Sequence, residues 1–346
     1  MNKFTSILAV LMIFTILSCK KSDNTVPDVA PSNLTLTATV STDNSGIVNF
    51  VASATDAVVY TFDYGNSNTA VSATGIVTYR YSYSGVFSVT VTAKSAGGKT
   101  AVKTTLVTIN VIQGLVWSDE FDTQGSPDPS KWGYDKGAGG WGNNEKEYYT
   151  DRIDNSVVSD GTLKIILKKE NFSGSAYTSA RLLSYGKYSF KYGKIVVRAK
   201  LPAGGGTWPA IWMLGNSIFT AGIGWPACGE VDIMEHVGNS PGVIHGSIHT
   251  TSSSGNTINT STKTVSTFNS EFHLYEANWT SDRIEFSIDN QLFYTYAPSV
   301  KNSSTWPFDN PCFIILNVAI GGNFGGAIDP AFTSAQMEID YVRVYQ

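Results

Sequence analysis

Apolar and polar residues alternate with a period of two along most of this chain, and long runs of helical period are absent. Between residues 33 and 112 the alternating runs are short, as at 34–40 and 86–92, with Gly, Asn and Ser between them. From residue 114 onward they recur at 162–167, 186–191, 193–201, 209–214, 243–249, 272–279, 284–288, 313–320 and 339–345. The first region predicts a small sandwich. The second, with ten or more strands over about 230 residues, predicts one large two-sheet sandwich or jelly roll. The expected fold class is all-β.

One run departs from simple alternation. Glu230-Val231-Asp232-Ile233-Met234-Glu235 places three carboxylates within six residues, interleaved with apolar side chains. In a regular strand Glu230 and Asp232 share a face, and Glu235, five positions from Glu230, points the other way. One inserted residue, a β-bulge near Met234, returns Glu235 to the face of the other two. Aligned like charges with no Lys or Arg close in sequence are costly, which suggests a function. An acidic edge strand or a calcium loop is the competing reading.

Composition narrows the class. Charged residues are 15% of the 346 residues and the net charge is −4. That balance argues against a nucleic-acid partner and leaves a neutral carbohydrate open. Of three cysteines, Cys228 and Cys312 are candidates for a disulfide or for two free thiols, and spacing does not decide between them. His245 and His249 have a metal-pair spacing but fall in a strand-like run, where sharing a face is the commoner reason.

The N-terminus carries an address. In residues 1–19, Lys3 supplies the charge, 4–17 the apolar stretch and Ser18 the small residue of a secretory leader. The apolar stretch is shorter than the ~20 residues of a spanning helix. Ile16-Leu17-Ser18-Cys19 resembles a bacterial lipobox. The resemblance implies cleavage before Cys19, lipidation of that cysteine and a membrane anchor. Lys20 after it implies the outer membrane or cell surface of a Gram-negative bacterium. Residues 20–32, with Pro27 and Pro31, read as a flexible tether. In 33–112, Tyr60-Thr-Phe-Asp-Tyr-Gly65 and Tyr83-Ser-Gly-Val-Phe-Ser-Val-Thr-Val91 resemble a PKD module, a small immunoglobulin-like sandwich. No catalytic constellation occurs there, so a spacer or accessory role is expected.

The chemistry concentrates in 113–346. Two carboxyl groups on one open face suit glycosidic hydrolysis, one attacking the anomeric carbon and one protonating the leaving oxygen. Asp232 between them raises the pKa of a neighbour by repulsion. Trp208, Trp212 and Trp225 precede the acidic strand, and flat sugar faces stack on such rings. The whole region resembles glycoside hydrolase family 16, most closely its laminarinase-type members. The resemblance is carried by Trp141-Gly-Asn-Asn-Glu145, Ser179-Ala-Arg181, Thr207-Trp-Pro-Ala-Ile-Trp-Met-Leu214, Trp225-Pro-Ala-Cys-Gly-Glu-Val-Asp-Ile-Met-Glu-His-Val-Gly238, His245-Gly-Ser-Ile-His249 and Asp340-Tyr-Val-Arg-Val-Tyr-Gln346.

This resemblance implies a concanavalin-like two-sheet β-jelly roll. It implies Glu230 as nucleophile, Asp232 as its assistant and Glu235 as acid/base of a retaining endo-hydrolase of β-1,3- or mixed β-1,3/1,4-glucan. Asn143, Arg181, Trp208, Trp212, Trp225 and His249 fall where the family lines its cleft. It implies no cofactor for catalysis, and a structural calcium at Glu120, the Gly161 carbonyl and Asp340. The expected partner is a polysaccharide, acted on by a monomer. An algal galactan (agar, porphyran or carrageenan) is the alternative substrate, and a non-catalytic glycan-binding protein the more distant one. Three departures touch subsites: Glu145-Lys-Glu147 where the family often has E-L-Q, Tyr192-Gly-Lys-Ile-Val196 without the acid of Y-G-R-[IV]-E, and Gly321-Gly-Asn-Phe-Gly-Gly326 for G-G-N-W-P-G. The bulged strand points towards laminarinases and galactan hydrolases and away from relatives with a regular strand.

Overall fold

The structure is a computed structural model that describes residues 29–346. The leader, Cys19 and most of the tether lie outside the described residues. The chain divides into two compact units. One takes in Asn49–Val77 and Ser88–Thr105. The other takes in Leu106–Gln346, together with Thr39–Val48 and Thr78–Phe87.

Residues 32–109 form two sheets. A three-stranded sheet orders Ser32–Val40, Ile47–Thr55 and Ile76–Arg80. A four-stranded sheet orders Thr69–Ser72, Val59–Asp63, Gly85–Lys94 and Thr100–Ile109. Every second residue of 85–94 is buried, from Phe87 through Val89 and Val91 to Ala93, as the alternation requires.

Residues 115–345 build two larger sheets. The ten-stranded sheet runs Glu147–Tyr149, Ser175–Ser179, Thr162–Phe172, Ser334–Tyr345, Gly193–Lys200, His273–Trp279, Ile284–Ile288 and Gln291–Tyr296. Ser156–Ser159 and Leu115–Asp119 add to it at Thr162–Phe172 and Ser334–Tyr345. The seven-stranded sheet, numbered in chain order, contains β1 (Gly133–Asp135), β2 (Arg181–Leu183), β3 (Thr207–Gly215), β4 (Glu230–His236), β5 (Val243–His249), β6 (Thr260–Thr264) and β7 (Cys312–Ile320). Its spatial order is β6-β5-β4-β3-β7-β2-β1.

The apolar face of each sheet enters one core. Leu163, Ile165, Ile195, Val197, Tyr275, Trp279 and Phe286 come from the larger sheet, and Ile211, Met213, Val231, Ile244, Leu316 and Val318 from the smaller. Burying such side chains is worth roughly 1.5–3 kcal/mol each, enough to hold the sheets face to face. β7 is buried at every position because both its faces are covered. One face packs in the core, and on the other Asn317 and Ala319 line a cleft.

One expectation is corrected and one open alternative is decided. No strand forms over 186–191. There the Ser184 carbonyl accepts the Lys187 and Tyr188 N–H groups at 3.0 and 2.8 Å, and Gly186 turns the chain at φ +73°. The pairing is made earlier, by β2. Cys228 and Cys312 are both buried free thiols rather than a disulfide.

Ile211 is fully buried in the core at the centre of β3. Ile211→Ala in the full chain should lower unfolding stability by about 2–5 kcal/mol. Urea melts should show a lower midpoint with an unchanged slope.

Candidate active site

β4 is irregular where the sequence pattern requires it. Against β5, Glu230 pairs with His249, Asp232 with Ser247 and Glu235 with His245, so three steps on β4 match two on β5. Against β3, Trp212 pairs with Asp232 and Ile211 with Met234, so the extra residue is felt on both sides. Ile233 and Met234 both turn into the core, at 1% and 0% exposure. Glu235 thereby returns to the face of Glu230 and Asp232, and all three line one cleft of about 970 Å³. Gly229 sets the entry to the strand. Its φ is +80°, and a Cβ there would lie 2.7 Å from Pro307 Cγ.

Indole donors serve the two glutamates. Trp208 Nε1 donates to Glu235 Oε1 at 2.9 Å, and Trp225 Nε1 donates to Glu230 Oε2 at 3.0 Å. The third, Trp212 Nε1, donates to Asn317 Oδ1 at 2.8 Å. His249 Nε2 lies 3.1 Å from Asp232 Oδ2 and 3.8 Å from Glu230 Oε1. Arg181 pairs with Asp135 at 3.0 Å, and its guanidinium lies over both the Trp141 and the Trp212 rings. Asn143 Nδ2 donates to Glu145 Oε1 at 3.2 Å.

Burial pushes the carboxyls of Glu230, Asp232 and Glu235 each up to about 8, and the Asp232 charge adds to the effect on both glutamates. The three share protons, so near neutral pH the strand is not triply charged. His249, whose Nε2 stands 3.8 Å from Glu230 Oε1, favours the ionised form of both glutamates, as do the indoles that donate to them. The two glutamates pair with Leu214 and Ala210 on β3, four residues apart, or ~13 Å at ~3.3 Å per residue, a gap that two glutamate arms leaning inward can close.

All the side chains expected around the cleft from sequence line it: Asn143, Arg181, Trp208, Trp212, Trp225 and His249. The expected calcium donors are arranged otherwise. Glu120 accepts from Arg343 Nε and Nη2 at 3.0 and 2.7 Å, and Asp340 pairs with Arg198. With both carboxylates neutralised by separate arginines, Glu120, Gly161 and Asp340 do not fit a calcium site in this arrangement. Among the described residues, one group of three has ligand atoms within 4.8 Å of one another, Glu230, Asp232 and His249, and these are the groups of the cleft itself.

Two lining residues were not singled out in the sequence, Phe324 being quoted only within its glycine-rich motif. Asn317 is the one polar residue in the apolar run of β7, and that was its signal. Its Nδ2 donates to Tyr149 Oη at 3.0 Å, and Tyr149 Oη donates to Glu145 Oε2 at 2.9 Å. Phe324 meets Trp208 and His245 edge-on, from a glycine-rich turn with no strand period to reveal it.

Known proteins place this arrangement. The family model described as Glycosyl hydrolases family 16 matches residues 143–343. A second model, Beta-glucan synthesis-associated protein SKN1/KRE6/Sbg1, matches 47–228. The chain is 46% identical to a beta-glucanase from Rhodothermus marinus over 67% of its own length and 85% of that protein. The crystal structure of a laminarinase from Flavobacterium sp. UMI-01 superposes with a TM-score of 0.63 and 46% identity, covering 67% of this chain and all of that one. A keratan-sulfate endo-1,4-beta-galactosidase from Sphingobacterium multivorum is 39% identical over 67% of this chain and 55% of that protein. The fold and site define a glycoside hydrolase. The chain belongs to glycosyl hydrolases family 16, and its relatives include enzymes that hydrolyse β-glucans.

Two substitutions should move the alkaline limb of kcat/KM in opposite directions. Asp232→Asn removes a negative neighbour that raises the Glu235 carboxyl, so the limb moves to lower pH. Trp208→Phe removes a donor that favours ionised Glu235, so the limb moves to higher pH. Sugar release measured from pH 5 to 10 reads both shifts.

Proposed function

We propose that the chain is a retaining endo-hydrolase of β-1,3-glucan, or of mixed β-1,3/1,4-glucan, acting by double displacement. The observation that carries this reading is the bulged β4, with Glu230, Asp232 and Glu235 on one cleft face beside aromatic rings. In the first step the Glu230 carboxylate attacks the anomeric carbon while Glu235 gives its proton to the departing glycosidic oxygen. Glu230 is left as a glycosyl ester. In the second step Glu235, now a carboxylate, takes a proton from water as that water attacks the anomeric carbon, and Glu230 is released. The configuration at the anomeric carbon is retained. Asp232 stands between the two glutamates, with His249 Nε2 3.1 Å from its Oδ2.

Charge in the cleft favours a neutral polymer. Arg181 is the one Lys or Arg among the lining residues, and it is engaged by Asp135 and two indoles. Four carboxyl groups also line the cleft, and no unengaged cation is there to meet a sulfated chain. The keratan-sulfate galactosidase relative keeps a galactan as the second reading. The leader and Cys19 support export and lipid anchoring at a Gram-negative cell surface. The 33–112 module then serves as a PKD-like spacer for a monomeric enzyme.

The test is a panel of laminarin, lichenan, agarose, carrageenan and keratan sulfate, with the anomer of the first product followed by NMR. Cleavage of laminarin with initial β-product is expected; cleavage of a galactan alone sinks the substrate assignment. Glu235→Gln should lose roughly 10²–10⁴ in kcat, and Glu230→Gln at least as much. The stability of Glu235→Gln has its own sign. A carboxyl raised on folding stabilises below its unfolded value near 4.5 and loses that contribution as pH rises through about 8. The variant should therefore melt higher than wild type at pH 9, and this gain should shrink at pH 5. Cys19→Ser should move the enzyme from the membrane fraction to the soluble fraction, read by activity after ultracentrifugation.

A further inference from the structure

Beside the cleft lies a second carboxyl pair, Glu145 and Glu147, and hydrogen-bond accounting assigns their charges. Glu145 is well supplied with donors: Asn143 Nδ2 reaches its Oε1 at 3.2 Å and Tyr149 Oη its Oε2 at 2.9 Å. Glu147 is 1% exposed. Its Oε2 accepts the Ile320 N–H at 2.7 Å, but its Oε1 is buried with no donor. Two adjacent carboxylates in this position would repel and leave one acceptor orphaned. A single proton on Glu147 resolves both faults, because its O–H can donate to Glu145.

We propose that Glu147 is a positioning residue for the substrate cleft: it stands as a neutral carboxylic acid donating to Glu145, and so fixes Asn143 and the Tyr149–Asn317–Trp212 row. The chain of bonds is continuous. Glu145 accepts from Asn143 and from Tyr149; Tyr149 accepts from Asn317; Asn317 accepts from Trp212. Of these, Asn143, Glu145, Asn317 and Trp212 line the cleft. If Glu147 ionises, Glu145 loses a donor and gains a like charge, and the row loosens.

Among the described residues no ion pair reaches Glu147. On the same segment the titratable neighbours are Glu145, Lys146, Tyr148 and Tyr149, and the Lys146 stem lies against Gly321. From β2 comes Arg181, whose charge acts on Tyr149 and which is already paired with Asp135 of β1. From Ser175–Ser179 comes Tyr177, opposite Glu147 in the parallel register. β7 contributes the neutral Asn317 and the Ile320 N–H. Burial and the Glu145 charge hold the Glu147 carboxyl well above the usual carboxylate range.

The inference rests on reading the cleft as the polysaccharide site. Glu147→Gln keeps one acceptor and supplies one fixed donor, mimicking the neutral acid; Glu147→Leu supplies neither. On the polymer that wild type cleaves, Glu147→Leu should raise KM about tenfold at pH 6, the effect of a lost buried hydrogen-bond partner. Glu147→Gln should recover most of that loss. Wild type should show a rise in KM between pH 6 and pH 9 that Glu147→Gln abolishes, while kcat falls with pH alike in both. Thermal melts need no substrate: Glu147→Gln should melt above wild type at pH 9 and close to it at pH 6. A Gln variant with the KM of the Leu variant, or one that melts below wild type at both pH values, overturns the proposal. A wrong choice of polymer would appear in the substrate panel and leave the melting difference untouched.

Discussion

Burying three carboxyl groups on one strand is the constraint around which the catalytic unit is arranged. Each costs desolvation energy and each repels the others, so none is tolerated without compensation. The compensation here is specific. Indole N–H groups from β3 and from the loop before β4 serve the two glutamates, and His249 from β5 stands against Asp232. The indoles satisfy lone pairs of the glutamates without neutralising them, while Asp232 Oδ2 is left without a hydrogen-bond donor. An arginine in their place would have held every carboxyl ionised and removed the acid.

The same logic separates this cluster from the ion pairs elsewhere in the unit. Glu120 and Asp340 each pair with an arginine, whereas the two β4 glutamates accept from indoles. Arg181 is the exception within the cleft. Its charge is spent on Asp135 and its plane on two indoles, so it stiffens one wall and leaves the cleft acidic.

Much of this was legible in the chain. A period of two marked the strands because each large sheet has one covered face, and the five-residue offset of Glu230 and Glu235 announced the bulge because a strand has only two faces. The failures share a physical origin. Residues 186–191 alternate like a strand, but Gly186 turns the chain and β2 takes the pairing. Asn317 was hidden inside an apolar run because β7 is covered on both sides, and only the structure separates its core face from its cleft face. The calcium donors were placed by likeness alone, and local spacing carries no information about which arginines reach them from β-strands more than a hundred residues away. The charges of Glu145 and Glu147 were equally out of reach, since they depend on donors drawn from β7.

The half-buried indoles have an optical consequence. Of eight tryptophans, Trp132, Trp279 and Trp306 are sealed in the core, while Trp141, Trp208, Trp212 and Trp225 line the cleft, the last three with their Nε1 atoms bound to groups that line it. Emission from the sealed rings is insensitive to what occupies the groove. Emission from the rings at the cleft should follow the protonation of the carboxyls and the displacement of water by a saccharide. The molecule therefore carries its own reporter of occupancy, separable from the turnover that the same residues support.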